Sequence, residues 1–310
     1  MLRPAASLGP AETATLRISV PPTCDPAFLL AESYLRDEGI TDVQYVKGNA
    51  SQAMAAGAAD LKSSFAPSLA ADLEAGTPVV ALAGLHVGCI GLFAQKGIRS
   101  VGDLRGKTVF VTKKNDPRDF RFAFFVVTLL EAGIDPFRDV NILEAPAGAD
   151  FDEMFRDGKA DAVLTATTGM DKLRADGRFE LLVDYATDAP WSGHHCCLLV
   201  ATRSFYDMHP NAARRAVRAI LRANIDTRTD LARGVRSMVD RGWITDYDGV
   251  LAHDRMLPYD TWRTVDPEVG IRFFSERLQR AGVIKSSADE IVRKGTDWSA
   301  LRQAMRELKA

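Results

Sequence analysis

Strand and helix signals alternate through roughly the first two hundred residues of this 310-residue chain, and beyond that point strand signals cease. Residues 16–20 alternate and are β-rich, residues 21–25 form a turn, and residues 26–38 carry Phe28, Leu29 and Leu35 at helical spacing up to Gly39. A second strand is predicted at 43–46, then a helix capped by Asn49 and ending near Gly57, a third strand at 61–66 and a short helix capped by Ser68. Strands joined by helices over short connections imply parallel pairing, because a parallel neighbour is reached only through a crossover.

The pattern restarts near residue 97. A strand at 108–112, a long helix at 118–132 closed by Gly133, and strands at 140–143, 162–164, 181–184 and 196–201 with helices between them make a second α/β unit. After Pro210 only helical patterns follow. The fold class is therefore α/β, with two doubly wound lobes, residues 1–95 plus 198–310 and residues 96–197, and a hinge of two chain crossings near 92–96 and 192–200. Within the longest uncharged run, residues 77–94 read as two successive buried strands: Gly84, His86, Gly88 and Gly91 interrupt them, and a membrane span needs about 20 mainly apolar residues.

In such sheets ligands sit at the carboxyl ends of the strands. The candidate contacts on that ground are Thr23, Cys24, Asn49, Phe65, Ala66, Pro67, Ser68, His86, Asn115, Asp116, Arg118, Phe120, Thr165, Thr167, Thr168 and His194. The segment Asp116-Pro-Arg-Asp-Phe-Arg opens a helix after a strand, where free N–H groups, with Arg118 or Arg121, favour an anion. The competing reading is a capped helix whose arginines pair with Asp116 and Asp119. Threonine hydroxyls at 165, 167 and 168 can orient a polar ligand.

Lys plus Arg number 39 against 41 Asp plus Glu, so no global charge draws the chain to nucleic acid or an anionic membrane. The four cysteines, Cys24, Cys89, Cys196 and Cys197, form no CxxC pair, and Cys196 and Cys197 point to opposite faces if both lie on a strand. They read as small apolar fillers. His194 and His195 lack a third ligand within sequence reach, so neither a metal nor a cofactor is expected. The series Arg214, Arg215, Arg218, Arg222 reads as a solvated helix face. No G-x-S-x-G, H-E-x-x-H, GxGxxG or GxxxxGK[ST] motif occurs.

The run Ser100-Val-Gly-Asp-Leu-Arg-Gly-Lys-Thr-Val, then Asp157-Gly-Lys-Ala-Asp-Ala, Trp191-Ser and Cys196-Cys197, resembles the substrate-binding proteins of nitrate/sulfonate/taurine-type ABC transporters. Pro258-Tyr-Asp-Thr-Trp-Arg, Gly282-Val-Ile-Lys-Ser-Ser and Gly295-Thr-Asp-Trp in the tail continue the likeness. The resemblance implies a type II periplasmic-binding-protein fold that captures a small solute without chemistry and hands it to a transporter permease. It also implies a monomeric, periplasmic protein, although residues 1–20 show no export signal, as in a mature form. Many members carry a Gly-Ser type turn where this chain has residues 115–120, so the family's ligand does not transfer.

Two further readings use the same architecture. One is an enzyme resembling aryl-sulfinate desulfinases or thiamine-pyrimidine synthases, with Cys24 or His86 reactive; the desulfinase Arg-x-Gly-Gly motif is absent. The other, a transcription-factor effector domain, needs a helix-turn-helix ahead of the first strand, where about fifteen residues stand.

Overall fold

The computed structural model describes residues 8–20 and 24–308. Ten strands form two five-stranded sheets. The first contains β1 (Thr15–Ser19), β2 (Asp42–Val46), β3 (Leu61–Phe65), β4 (Val79–His86) and β10 (Cys197–Thr202), in the order β2-β1-β3-β10-β4. The second contains β5 (Ile90–Gln95), β6 (Thr108–Val111), β7 (Asn141–Glu144), β8 (Ala162–Ala166) and β9 (Phe179–Asp184), in the order β7-β6-β8-β5-β9. Helices packed on the sheets make this the α/β fold that the alternation predicts.

Each sheet contains one strand that opposes its neighbours. β10 runs antiparallel to β3 and β4, and β5 runs antiparallel to β8 and β9. Both are the first strands laid down after the chain changes sheets. A strand arriving from the other lobe starts at the edge where the parallel strands end, so it runs against them.

The chain changes sheets at residues 87–89 and again at 185–196. The first crossing is therefore earlier than the 92–96 predicted, which lies within or just after β5 of the second sheet. The cause is physical: residues 79–94 are buried on both sides of the crossing, so no polar break marks it. The turn is made by consecutive left-handed residues, Gly88 (φ 81°) and Cys89 (φ 70°), and a Cβ on Gly88 would lie 2.5 Å from the Ala186 Cβ of the second crossing.

Asn49 caps its helix as predicted, accepting from the Gln52 N–H at 3.0 Å. Ser68 does not: it lies inside the helix Ala66–Glu74, which starts one residue after Phe65 with Pro67 in its first turn. Arg215 and Arg218 are not solvated either. Both bond Glu38, and Arg218 also bonds Glu307, so the helix Pro210–Thr229 is tied to the first lobe and to the last helix. The tail touches both lobes. Its helix Pro267–Arg280 packs on Ala66–Glu74 of the first lobe and Phe120–Glu131 of the second, and Tyr247–Asp254 packs on Thr168–Asp176 of the second. Among the described residues, no helix is long and apolar enough to cross a membrane.

Candidate functional site

The carboxyl ends of the two sheets bound a cleft with a wet mouth and a dry floor. The mouth is a cavity of about 410 Å³ lined from the first lobe by Asn49, Gln52 and Asp72 and from the second by Asp116, Arg118 and Phe120. Asn115, left-handed at φ 61°, lets the chain double back before Asp116. Arg118 is forked onto Asp116, its Nε and Nη2 each donating at 2.9 Å, and this contact holds the Asp116 carboxyl below its usual range. Asp119 caps the helix Phe120–Glu131, accepting from the Arg121 N–H at 3.1 Å and the Lys113 N–H at 2.8 Å. The predicted free helix start is thus occupied by its own carboxylate, and Arg118 is a paired, exposed arginine.

Arg121, in the first turn of the same helix, has no such partner among the described residues. Its guanidinium lies 4.6 Å from the Phe120 ring centre and 4.1 Å from that of Phe151, and its Nε has no hydrogen-bond partner. Burial lowers its pKa. Behind the mouth, Lys62 and Asp72 form a buried ion pair completed by the Ser51 hydroxyl. Phe65, at the end of β3, stacks on Phe120 of the other lobe with ring centres 5.1 Å apart, so the lobes touch through these rings.

The floor gathers residues from four separate segments. Cys24 and Asp25 follow β1, His86 ends β4, Cys89 lies in the first crossing, and Cys196 and Cys197 stand where the second crossing enters β10; all are buried. The sulfurs of Cys89 and Cys196 are 2.8 Å apart, Cys196 and Cys197 3.5 Å, and Cys197 lies 4.0 Å from both Cys89 and Cys24. This corrects the expectation that Cys196 and Cys197 point to opposite faces. Cys196 precedes β10, so strand alternation does not turn its side chain away from that of Cys197.

His86 Nε2 stands 3.3 Å from Asp25 Oδ1, and Nδ1 lies 3.2 Å from the Val87 carbonyl. Burial alone disfavours the imidazolium, but the Asp25 charge outweighs it and holds the His86 pKa well above its ordinary value. Burial drives the Cys89 and Cys196 thiols well up, and contact with Cys197 does the same to Cys24. Cys197 is pushed up to about 12 by contact with Cys89 and by burial, which outweigh the lowering contacts with Cys196 and Cys24. These thiols are protonated at neutral pH. Tyr259 packs its ring edgewise on His86 and donates its hydroxyl to the Cys24 carbonyl at 3.2 Å.

Thr165 and Thr167 are buried at the end of β8; the Thr167 N–H donates to the Cys89 carbonyl at 3.2 Å, and its φ of 52° is strained for a β-branched residue. Thr168 begins the next helix. Ala66, Pro67 and Ser68 form the buried first turn after β3, and the Ala66 N–H donates to the Cys196 carbonyl at 3.3 Å. Thr23 lies outside the described residues.

His194 is not brought to the floor. It stacks on Phe273 at 4.1 Å in an aromatic cluster with Trp191 and Phe274, while His195 packs against β4, where a Cβ on Gly84 would meet its ring at 2.5 Å. The sequence reading also missed Asp25, Tyr259 and Asp254 at or beside the floor; Asp25 has the signal of a polar residue before an apolar run, and Tyr259 lies in the Pro258-Tyr-Asp-Thr-Trp-Arg segment that carries the resemblance. A second, mostly apolar cavity of about 530 Å³ includes Cys89, Met170, Leu181 and Met256 in its walls.

A sequence model of the NMT1/THI5-like family matches residues 29–230, about two thirds of the chain. A search of curated proteins returns no match. Among solved structures, a protein from Bordetella bronchiseptica RB50 is 24% identical with a TM-score of 0.74, the match covering 97% of this chain and 99% of that one. The periplasmic nitrate-binding protein NrtA from Synechocystis PCC 6803 is 15% identical with a TM-score of 0.80, over 97% of this chain and 90% of that one. The alkanesulfonate-binding protein SsuA from Xanthomonas axonopodis pv. citri, solved with MOPS bound, is 16% identical with a TM-score of 0.74, over 93% and 100%. These likenesses are to the fold.

Proposed function

The chain belongs to the NMT1/THI5-like family, and from that premise we propose that it is the solute-capturing component of an ABC importer. It takes up a small polar or anionic organic solute between its lobes, outside the cytoplasmic membrane, and passes it as a monomer to a permease. The observation that carries this reading is the cleft, in which the strand ends of two sheets face each other and two crossings at 87–89 and 185–196 join them. Relatives of the same fold bind nitrate and an alkanesulfonate buffer.

The residues suit binding better than turnover. Asn49, Thr165, Thr167 and Arg118 offer donors, and Phe65 and Phe120 offer ring faces. Arg118 must be shared with Asp116, which favours a weakly charged solute over a strong anion. Cys24, the candidate nucleophile, has its thiol pKa raised well above the ordinary value although Asp25 lies 3.7 Å from its sulfur, so the desulfinase-like alternative is not favoured.

The test is a thermal-shift screen of the full chain against nitrate, alkanesulfonates, carboxylates and pyrimidines, with calorimetry on any solute that stabilises it. A solute that raises the melting temperature and binds one per chain supports capture. Turnover of that solute by mass spectrometry, lost in Cys24→Ala, would replace capture with catalysis.

A further inference from the structure

The floor carries an inference separate from solute capture. One imidazole nitrogen of His86 and the sulfurs of Cys89, Cys196 and Cys197 all lie within 4.8 Å of one another, and all four residues are buried. We propose that these residues form a binding site for a single thiophilic d10 cation, Zn2+ or Cu+, held between the two chain crossings.

Two of the three sulfur edges suit a common central ion. Sulfurs bound tetrahedrally at the usual zinc–sulfur length stand about 3.8 Å from one another; Cys196–Cys197 and Cys89–Cys197 are 3.5 and 4.0 Å, and Cys89–Cys196, at 2.8 Å, must open to admit the ion. Three sulfurs and one imidazole are soft, neutral-to-anionic donors that select zinc or cuprous ion over the oxygen-seeking calcium and magnesium. Asp25, 1% exposed, leaves Oδ1 without a hydrogen bond 3.3 Å from His86 Nε2, which is also without one. That pairing resembles the outer carboxylate that orients a ligating histidine. Cys89 supplies a further sign: a non-glycine residue keeps a φ of 70° at a crossing where glycine would be free of strain, so its side chain has a use.

Coordination releases protons. Each thiol that binds gives its proton to solvent, and the cation takes its place, so no oxidant or reductant enters the step. The ion bridges Cys89 of the first crossing and Cys196 of the second, and thereby fixes the spacing of the two hinge segments. A Cys89–Cys196 disulfide is the competing fate of the same atoms; it would leave Cys197 and His86 unused.

The full chain, reduced, chelator-stripped and kept anaerobic, is titrated with Zn2+ and separately with Cu+ against chromophoric chelators. Co2+ serves as a spectroscopic substitute. The expected result is one ion per chain with a thiolate-to-cobalt charge-transfer band. Cys89→Ser and Cys196→Ser should weaken binding by more than about a hundredfold, since even outer-shell losses cost tenfold to a hundredfold, whereas Cys24→Ser should retain one ion per chain. Circular dichroism checks that each variant folds. If the serine variants do not fold, the wild-type stoichiometry and cobalt spectrum decide. Substoichiometric metal, a missing thiolate band, unchanged affinity in folded Cys196→Ser, loss of the ion only in Cys24→Ser, or a Cys89–Cys196 disulfide in protein isolated without reductant would each overturn the proposal.

Discussion

Around His86 and around Arg118 the cleft holds the same kinds of residue under opposite conditions. At the floor an aspartate, a histidine and four thiols are removed from water, and their ionisation is set by burial and by one another. At the mouth an aspartate and an arginine pair in solvent, and each stays ionised. The contrast shows that in this fold depth below the strand ends, more than residue type, decides what a polar side chain is worth. An exposed pair contributes little. A buried one is costly to break because the orphaned charge has no water to turn to.

The sharpest way to break the comparison is the Lys62–Asp72 pair, since Asp72 lines the mouth yet the pair is buried. Lys62→Met should cost about 3–5 kcal/mol in urea unfolding by stranding Asp72, and the double change Lys62→Met with Asp72→Leu should recover most of that loss. A single-variant cost below about 1 kcal/mol would mean that depth does not set the value of the pair.

Two aspartates extend the test to pH. Burial, outweighing contact with Tyr259, holds the Asp254 carboxyl protonated well above its ordinary range. Above about pH 4 the native state therefore retains a proton that the unfolded chain releases, and this residue's contribution to stability falls as pH rises. Asp254→Asn should remove that decline, a slope change of up to about 1.4 kcal/mol per pH unit. Asp116 has the opposite sign: its carboxyl is depressed, so its contribution is present above the unfolded value and fades as pH falls through the folded one. Urea midpoints across the acidic range for Asp254→Asn and Asp116→Asn check both slopes; parallel curves would erase the distinction.

Phe120→Ala removes the ring that meets Phe65 across the cleft. It should cost about 0.5–1.5 kcal/mol beyond the lost area and enlarge the radius of gyration in solution scattering as the lobes part. The smallest effect is expected at Arg118→Ala, below about 1 kcal/mol in stability, with any larger change confined to solute affinity by calorimetry.

Most of the fold was legible before the structure, because each strand or helix shows its period within a few residues and Asn49 and the closing glycines sign their helices. The first crossing was not. Residues 79–94 are buried throughout, with His86 the one basic side chain among them, and burial of strands in both lobes hides the short turn between them. Arg215 and Arg218 have the spacing of a solvated face, but Glu38 and Glu307, far off in sequence, claim them. The mouth residues Asp116 and Arg118 could be foreseen as a local pair. At the floor, Cys24 and His86 could be placed at strand ends, but their meeting with Cys89, Cys196 and Cys197 could not be foreseen, because these residues come from separate segments and only the strand order brings them together. The strand rule for adjacent cysteines failed because Cys196 stands one position before β10 begins.

The tail's grip on both lobes has a consequence for timing. Helices that rest on each half of the molecule, with Arg277 bonded to Glu131 across one of these contacts, act like a spring set against the jaws. Every opening must slide those faces as well as rotate two short crossings, so the resistance is spread over a wide area. Stiffness of that kind need not alter how tightly a guest is held at equilibrium. For the solute capture proposed above, it would set how long the guest stays once inside and would place part of the control of release in the last hundred residues of the chain.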